Sequence, residues 1–144
     1  MSFFTKKVDI DEYNTKFIGG PDKVLGVRLV SYSDEERSMS ARFVVNEHCL
    51  QPYGLLHGGV SCLVAESIAS IAGDSCVGEN ETIVGQSLMA NHLRSAKMGD
   101  EVIAVAKNVH RGRRSHVWNV ELNRKRDNAM ISQVTLTLSV IPKN

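Results

Sequence analysis

The chain has 144 residues, enough for one domain with an ordinary hydrophobic core; 42% of them are hydrophobic and 23% are charged. Seventeen lysines and arginines face 16 acidic residues, and the net charge of +1 does not support nucleic-acid binding or a polybasic membrane anchor. No apolar run approaches the roughly 18 residues of a membrane-spanning helix, and no secretory signal pattern stands at the start. The three cysteines are an odd number without paired spacing, so we expect a cytoplasmic protein.

Residues 1–144 contain no internal repeat or linker, so we expect a single domain. A short helix is predicted from Asp9, as its cap, to Phe17. Period-two alternation predicts strands over residues 27–32, 38–45, 82–96, 101–110, 115–123 and 134–141. The last three are joined by short turns, which implies antiparallel pairing, and Gly85 marks a bend or a close backbone approach.

One helix of about five turns is predicted over Gly58–Cys76, which holds no proline, lysine or arginine. Strands on either side of this helix predict an α+β fold, with a curved antiparallel sheet wrapped around it. One side of the helix is apolar, and the other carries small residues and one carboxylate (Cys62, Ala65, Glu66, Ala69, Ser70 and Gly73). A helix without a charged face is expected to be buried all round, with its small residues admitting a neighbouring backbone.

Glu66 is unusual on such a helix, because glutamate is rarely buried unless it is paired or functional. No lysine or arginine lies within two turns of it along the helix. Two plain alternatives are that this face meets water, or that an arginine from a strand pairs with Glu66. We favour a carboxylate that acts as a general base or a nucleophile.

His57, Gly58 and Gly59 stand at the predicted start of the helix. Two glycines there leave backbone N–H groups uncovered, at the end where the helix dipole favours negative charge, so they can bind an oxyanion. The alternatives are that the glycines only meet a steric need of the turn and that His57 only caps the helix. Glu66 follows His57 by nine residues, about 13.5 Å along a helix, so the two can share a reacting group only across the two-fold axis of a homodimer.

Two strings carry a resemblance to a known family: QPYGLLHGGVS at residues 51–61 and AESIASIAG at residues 65–73. They resemble the signature of hotdog-fold acyl-CoA thioesterases, in the PaaI-like branch that includes 1,4-dihydroxy-2-naphthoyl-CoA and 4-hydroxybenzoyl-CoA thioesterases. The strings NHLRSA at residues 91–96 and VW at 117–118 are similar as well. The resemblance extends from about Leu25 to Ile141.

The resemblance implies hydrolysis of an acyl-CoA thioester, preferably aromatic, without a metal or an organic cofactor. Glu66 is implied to attack the thioester carbonyl or to activate a water, and the Gly58 N–H to bind the carbonyl oxygen. Gln51 and His57 of the opposite subunit are implied to orient the thioester and help the thiolate leave, and Ser70 to hold the attacking water. The implied coenzyme A contacts are His92, Arg94, Ser95, Arg113 and Arg114, and the implied assembly is a homotetramer built as a dimer of dimers.

Three alternatives to a dedicated aromatic thioesterase stay open at this point. They are a broad-specificity housekeeping or proofreading thioesterase, a non-catalytic acyl-CoA binding protein, and a hydratase, for which we find no Asp/His pairing. Metal-binding Cys-x-x-Cys and His-Glu-x-x-His spacings are absent, as is the Gly-x-Ser-x-Gly turn of a serine hydrolase. The basic turn Arg111–Arg114 is too short to indicate nucleic-acid binding.

Overall fold

Six strands form one antiparallel sheet in the computed structural model, which describes residues 1–144. They are β1 (Arg28–Ser33), β2 (Ser38–Val44), β3 (Glu81–His92), β4 (Glu101–Arg111), β5 (Ser115–Arg124) and β6 (Ala129–Pro142). Their spatial order is β1-β2-β4-β5-β6-β3, so β1 and β3 are the two edges. The helices are α1 (Ile10–Glu12), which continues as a π-helical turn (Tyr13–Phe17), α2 (Gly20–Leu25) and α3 (Gly58–Asp74). The predicted α+β class and central helix are confirmed.

Helix α3 packs against the five strands from β2 to β6. Its buried residues are Ser61, Val64, Ala65, Ile68, Ala69, Ala72 and Gly73. The approach is tight at Gly73, where a Cβ would lie 3.2 Å from Leu138 Cδ1. The neighbouring backbone that Ala65, Ala69 and Gly73 admit is therefore that of the chain's own sheet.

The apolar side of α3 is only partly covered within one chain. Val60, Leu63 and Ile71 are half-buried, so the prediction of a helix buried all round is wrong for a single chain. The reason is geometric: a sheet can cover only the helix face that lies against it, and the short helices before β1 cover little of the rest.

Most predicted boundaries hold, with three differences near the site. Strand β6 begins at Ala129 instead of residue 134. Helix α2 was not predicted; Pro21 lies in its first turn and Gly26 ends it with a left-handed φ of 74°. Strand β3 ends at His92 instead of Ala96, because the N–H groups of Leu93 and Arg94 both turn to the Ile131 carbonyl. The predicted Asp9 cap and Gly85 irregularity are confirmed, by a 2.9 Å bond from the Glu12 N–H and by a register shift between Gly85 and Ser87.

The core is apolar, as the alternation predicted. Met39 and Trp118 are 1% and 0% exposed. All three cysteines are free thiols. None of the helices combines the length and the apolar composition needed to cross a bilayer.

His116 on β5 makes the stability of this core depend on pH. Burial, with the charges of Arg111 and His110 adding to it, lowers the pKa of His116 below its usual 6.5, while Glu81 opposes the shift. As pH falls through about 6.5 the unfolded chain therefore binds a proton that the folded chain does not, and the free energy of unfolding declines, by at most about 1.4 kcal/mol per pH unit.

We expect His116→Phe to remove this component, so that the variant loses less unfolding free energy than the native chain between pH 7 and pH 5. Urea denaturation at both pH values measures the difference. The exposed His48 provides the control, since His48→Phe leaves the pH dependence in place. Equal pH slopes in His116→Phe and the native chain would contradict the expectation.

Candidate active site

A tight turn positions Gln51 ahead of the central helix. Its backbone N–H donates to the Leu55 carbonyl at 2.8 Å, and its own carbonyl accepts the Gly54 N–H at 3.0 Å. The Gln51 side-chain oxygen accepts the N–H of Tyr53. The side-chain amide NH₂ is therefore the free end of Gln51, and it borders a cavity of about 170 Å³.

That cavity opens onto the start of α3. It is lined by Gln51, Leu56, Gly58, Ser61, His92, Arg94, Ile131 and Ser132. The N–H of Gly58 has no acceptor within the chain, whereas the N–H of Gly59 donates to Nδ1 of His57 at 2.8 Å. The cavity therefore presents a free helix-start donor, as an oxyanion site requires.

His57 is the N-cap of α3, with its backbone N–H bound to the Cys49 carbonyl at 2.8 Å. Its ring lines a different, largely apolar hollow beside α2, with Val24, Val60 and Leu63 among the lining residues. The structure thus brings His57 next to Gly58 in the chain, but it does not place the His57 ring in the cavity that Gln51 borders.

His92 occupies that cavity instead. A Cβ on Gly58 would lie 2.7 Å from Nε2 of His92, so only glycine leaves room for the ring at the helix start. Nδ1 of His92 is 2.8 Å from Oγ of the buried Ser132 on β6. His92 is therefore held between the end of the sheet and the first residue of α3.

Glu66 is half-buried and sits directly against β3. A Cβ on Gly85 would lie only 2.0 Å from its Oε1, so the carboxylate occupies the space that any other residue at position 85 would fill. Within the chain the carboxylate has no hydrogen bond and no ion pair; the plain alternative of a pairing arginine is thereby wrong. The Glu66 side chain is thus only partly exposed to solvent and has no basic side chain paired with it.

Ser70, one turn after Glu66, borders a groove of about 480 Å³ between α3 and the N-terminal segment. Ile71 lines it from α3, and Tyr13 and Phe17 line it from the π-helical turn. The two aromatic rings are 6.5 Å apart between centroids and tilted by 33°. The groove thus has two aromatic side chains on one wall and charged side chains, among them Lys6, Glu12 and Asp74, around them; Glu66 lies one helical turn away from it and does not line it.

The remaining predicted residues fall at both ends of the sheet. Arg94 lines the Gln51 cavity and donates to the Met130 carbonyl at 3.2 Å, and the carbonyl of Ser95 accepts from Arg124. Arg113 and Arg114 lie in the exposed β4–β5 turn. This turn lies at the end of the sheet where Gly85 of β3, Leu138 of β6 and His116 of β5 are paired in register. His92 and its partner Ser132 lie at the opposite end.

One chain therefore assembles Gln51, Gly58, His92 and Arg94, and separately places Glu66 beside Ser70. Sequence reasoning missed Ser132 and Ser61, which line the first group. The sequence pattern could have indicated Ser132, because every second residue from it along β6 is buried (Val134, Leu136 and Leu138). A polar residue at a buried strand position is a candidate functional residue. The predicted strand began two residues too late to include it.

Comparisons with known proteins place the chain in a family. The model of the thioesterase superfamily matches residues 53–131, more than half of the chain. The 1,4-dihydroxy-2-naphthoyl-CoA hydrolase of Escherichia coli is 37% identical over 117 residues, covering 81% of this chain and 82% of the relative. A proofreading thioesterase of Cronobacter turicensis is 30% identical over 115 residues, covering 80% and 82%.

A solved structure agrees with these matches. The crystal structure of a mutant thioesterase of Pseudomonas aeruginosa superimposes with a TM-score of 0.92 at 34% identity, covering 99% of this chain and 100% of the other. The resemblance stated from the sequence is thereby confirmed. The chain belongs to the thioesterase superfamily, as a thioester hydrolase with the hotdog fold.

Proposed function

We propose that the protein hydrolyses an aromatic acyl-CoA thioester, of the hydroxybenzoyl or dihydroxynaphthoyl type, to the free acid and coenzyme A. The observation that carries the proposal is the unpaired Glu66 carboxylate, seated on Gly85 at the sheet edge in a chain that also holds a free helix-start N–H at Gly58. Glu66 serves as the nucleophile or as the general base, and Gly58 binds the carbonyl oxygen.

The complete site needs a homodimer. Gly58 and Glu66 are eight residues apart, about 12 Å along α3, so they do not meet on one carbonyl group within a chain. Strand β3 is an edge strand whose Leu88 and Met89 are 39% and 67% exposed, and such an edge favours pairing with another strand. If two β3 strands pair antiparallel about a two-fold axis between Leu88 and Met89, Gly85 of one copy lies opposite His92 of the other. Glu66, which lies against Gly85, then faces the start of α3 in the second copy.

The groove beside Ser70 supports an aromatic acyl group. Tyr13, Phe17 and Ile71 give it an apolar wall one helical turn from Glu66, and aromatic rings stack favourably on such a wall. Ser70 is available there to hold the attacking water. Coenzyme A would extend from the Gln51 cavity past Arg94 and Ser95, and Arg113 and Arg114 would contact its phosphates across the same dimer axis.

A second candidate is a broad-specificity housekeeping or proofreading thioesterase, which the similarity to the Cronobacter turicensis proofreading enzyme favours. The two candidates differ in how tightly the groove selects the acyl group. A homotetramer and cytoplasmic location are part of the same proposal, and no organic cofactor or metal enters the reaction.

A panel of coenzyme A thioesters tests the function. We expect kcat/KM for 4-hydroxybenzoyl-CoA to exceed that for hexanoyl-CoA by about a hundredfold, because the rigid ring fills the aromatic groove. Thiol release is read with a chromogenic disulfide reagent. The protein's own thiols interfere little, because burial raises the pKa of Cys76 to about 12, and burial followed by the Glu66 charge raises the pKa of Cys62.

Similar rates across the panel would favour the broad-specificity candidate. Binding of the esters by calorimetry without any thiol release would overturn the proposed hydrolysis and leave an acyl-CoA binding protein.

A further inference from the structure

His92 and Ser132 form a pair beside the start of α3. The family resemblance implies only a coenzyme A contact for His92 and gives Ser132 no role. His92 is the last residue of β3 and pairs with Ser132 of β6 in the sheet register. Nδ1 of the ring lies 2.8 Å from the serine Oγ, and Nε2 lies 2.7 Å from the place where a Gly58 Cβ would be. The ring is therefore fixed at one nitrogen and directed to the helix start at the other.

The hydrogen-bond partners assign the tautomer. Ser132 is 2% exposed, and its hydroxyl has no partner other than His92. A buried hydroxyl needs an acceptor, and a neutral imidazole offers one nitrogen as acceptor and one as donor. Since the Ser132 O–H donates to Nδ1, the ring proton is on Nε2, where the N–H faces the cavity of Gln51 and Gly58.

The His57 ring makes different contacts. Its Nδ1 accepts the Gly59 N–H at 2.8 Å, and its ring lines the hollow beside α2. Its contacts account for the capping of α3. Within one chain, the histidine that shares a cavity with the free Gly58 N–H is His92.

We propose that His92 is a catalytic residue: its Nε2–H is the second donor to the thioester carbonyl oxygen, beside the Gly58 N–H, and Ser132 is its positioning residue. The inference rests on the proposed hydrolysis. In one route water adds to the carbonyl carbon while Glu66 takes its proton; in the other the Glu66 carboxylate adds, and water later hydrolyses the resulting anhydride to the free acid and Glu66. In both routes the C=O electron pair moves to oxygen, and two donors hold that charge. The C=O bond then re-forms, the C–S bond breaks with its pair on sulfur, and the coenzyme A thiolate takes a proton from solvent, so His92 transfers none.

The test compares His92→Leu, which has no donor, with His92→Gln, whose amide N–H reaches the position of Nε2. For 4-hydroxybenzoyl-CoA we expect His92→Leu to lower kcat by about 100- to 1000-fold, the usual loss for one oxyanion donor, and His92→Gln to recover at least tenfold of it. Ser132→Ala should lose about tenfold and Ser132→Thr, which keeps the hydroxyl, much less. The neighbouring Asn91, which bonds Gln133 instead, gives the control: Asn91→Ala keeps the native kcat.

A thioether probe separates this role from coenzyme A binding. S-Benzyl-CoA retains the nucleotide and an aromatic ring but has no carbonyl oxygen. We expect its Kd to stay within about twofold in His92→Leu, because the lost donor served only the oxygen. A rise in that Kd matching the change in KM, with kcat unchanged, would overturn the proposal and make His92 a coenzyme A contact.

The outcomes also distinguish this inference from the proposed function. If the native protein hydrolyses none of the thioesters, the proposed function fails. If it hydrolyses them and His92→Leu keeps the native kcat, only the role of His92 fails. Thermal melting of each variant establishes that it is folded, and recovery by His92→Gln excludes misfolding as the cause of a loss.

Discussion

Glu66→Gln lowers kcat for 4-hydroxybenzoyl-CoA by at least about a hundredfold, because the amide is neither a base nor an effective nucleophile. The substitution keeps the shape of the side chain against Gly85. It breaks no ion pair or hydrogen bond within the chain, so we expect the melting temperature to change little. Thiol release under saturating substrate measures kcat, and circular dichroism measures the melting temperature.

Glu79→Gln is the matched control for this variant. Glu79 is an exposed glutamate in the connection between α3 and β3, and it takes no part in the site, so its loss leaves kcat unchanged. A folded Glu66→Gln protein with a near-normal kcat would remove Glu66 from the mechanism.

The same variant shows which chains build one site. Glu66→Gln and Gly58→Val are each expected to be inactive alone, because the first lacks the carboxylate and the valine side chain of the second fills the space at the helix start that His92 occupies. Co-expression in equal amounts makes half of the dimers mixed, each with one intact site, so we expect recovery of about a quarter of the native activity. No recovery in the mixed dimers would show that one chain supplies both residues.

Gly85→Ala is expected to lower kcat by about 10- to 100-fold while leaving the fold intact. The new Cβ would lie 2.0 Å from Oε1 of Glu66, so the carboxylate must move by an ångström or more, and misplacement on that scale is costly to a reaction. The backbone tolerates alanine, which is favoured over glycine within a strand by about 0.5–1 kcal/mol. Activity and stability therefore separate in this variant.

Steady-state kinetics and thermal melting of Gly85→Ala measure the two effects. Gly19→Ala is the control, because the nearest atom to a Cβ there is 4.0 Å away and the backbone is extended. An unchanged kcat in Gly85→Ala would mean that the position of the carboxylate against β3 is not the reactive one.

The contrast between His57 and His92 shows where sequence reasoning ends. The sequence predicted both as site residues, His57 beside Gln51 and Gly58 and His92 as a coenzyme A contact. Within one chain, Nδ1 of His57 caps Gly59, and the ring that lies against Gly58 is that of His92, 34 positions further along the chain. A contact of that kind depends on how β3 lies against α3, and no local spacing encodes it.

Short-range patterns in the sequence determined the helix over Gly58–Asp74, the alternating strands and the irregularity at Gly85. They also identified Glu66 as a candidate functional residue, because no lysine or arginine lies within two turns of it on the helix. These follow from periods of 3.6 and 2 residues and from the cost of burying a charge, which act within one element. Only the tertiary structure decided that Ser132 orients His92, that Glu66 rests on Gly85, and that the small residues of α3 face the chain's own sheet. Those contacts depend on strand register and on helix-to-sheet packing between residues far apart in the chain, where each position is set by all of its neighbours together.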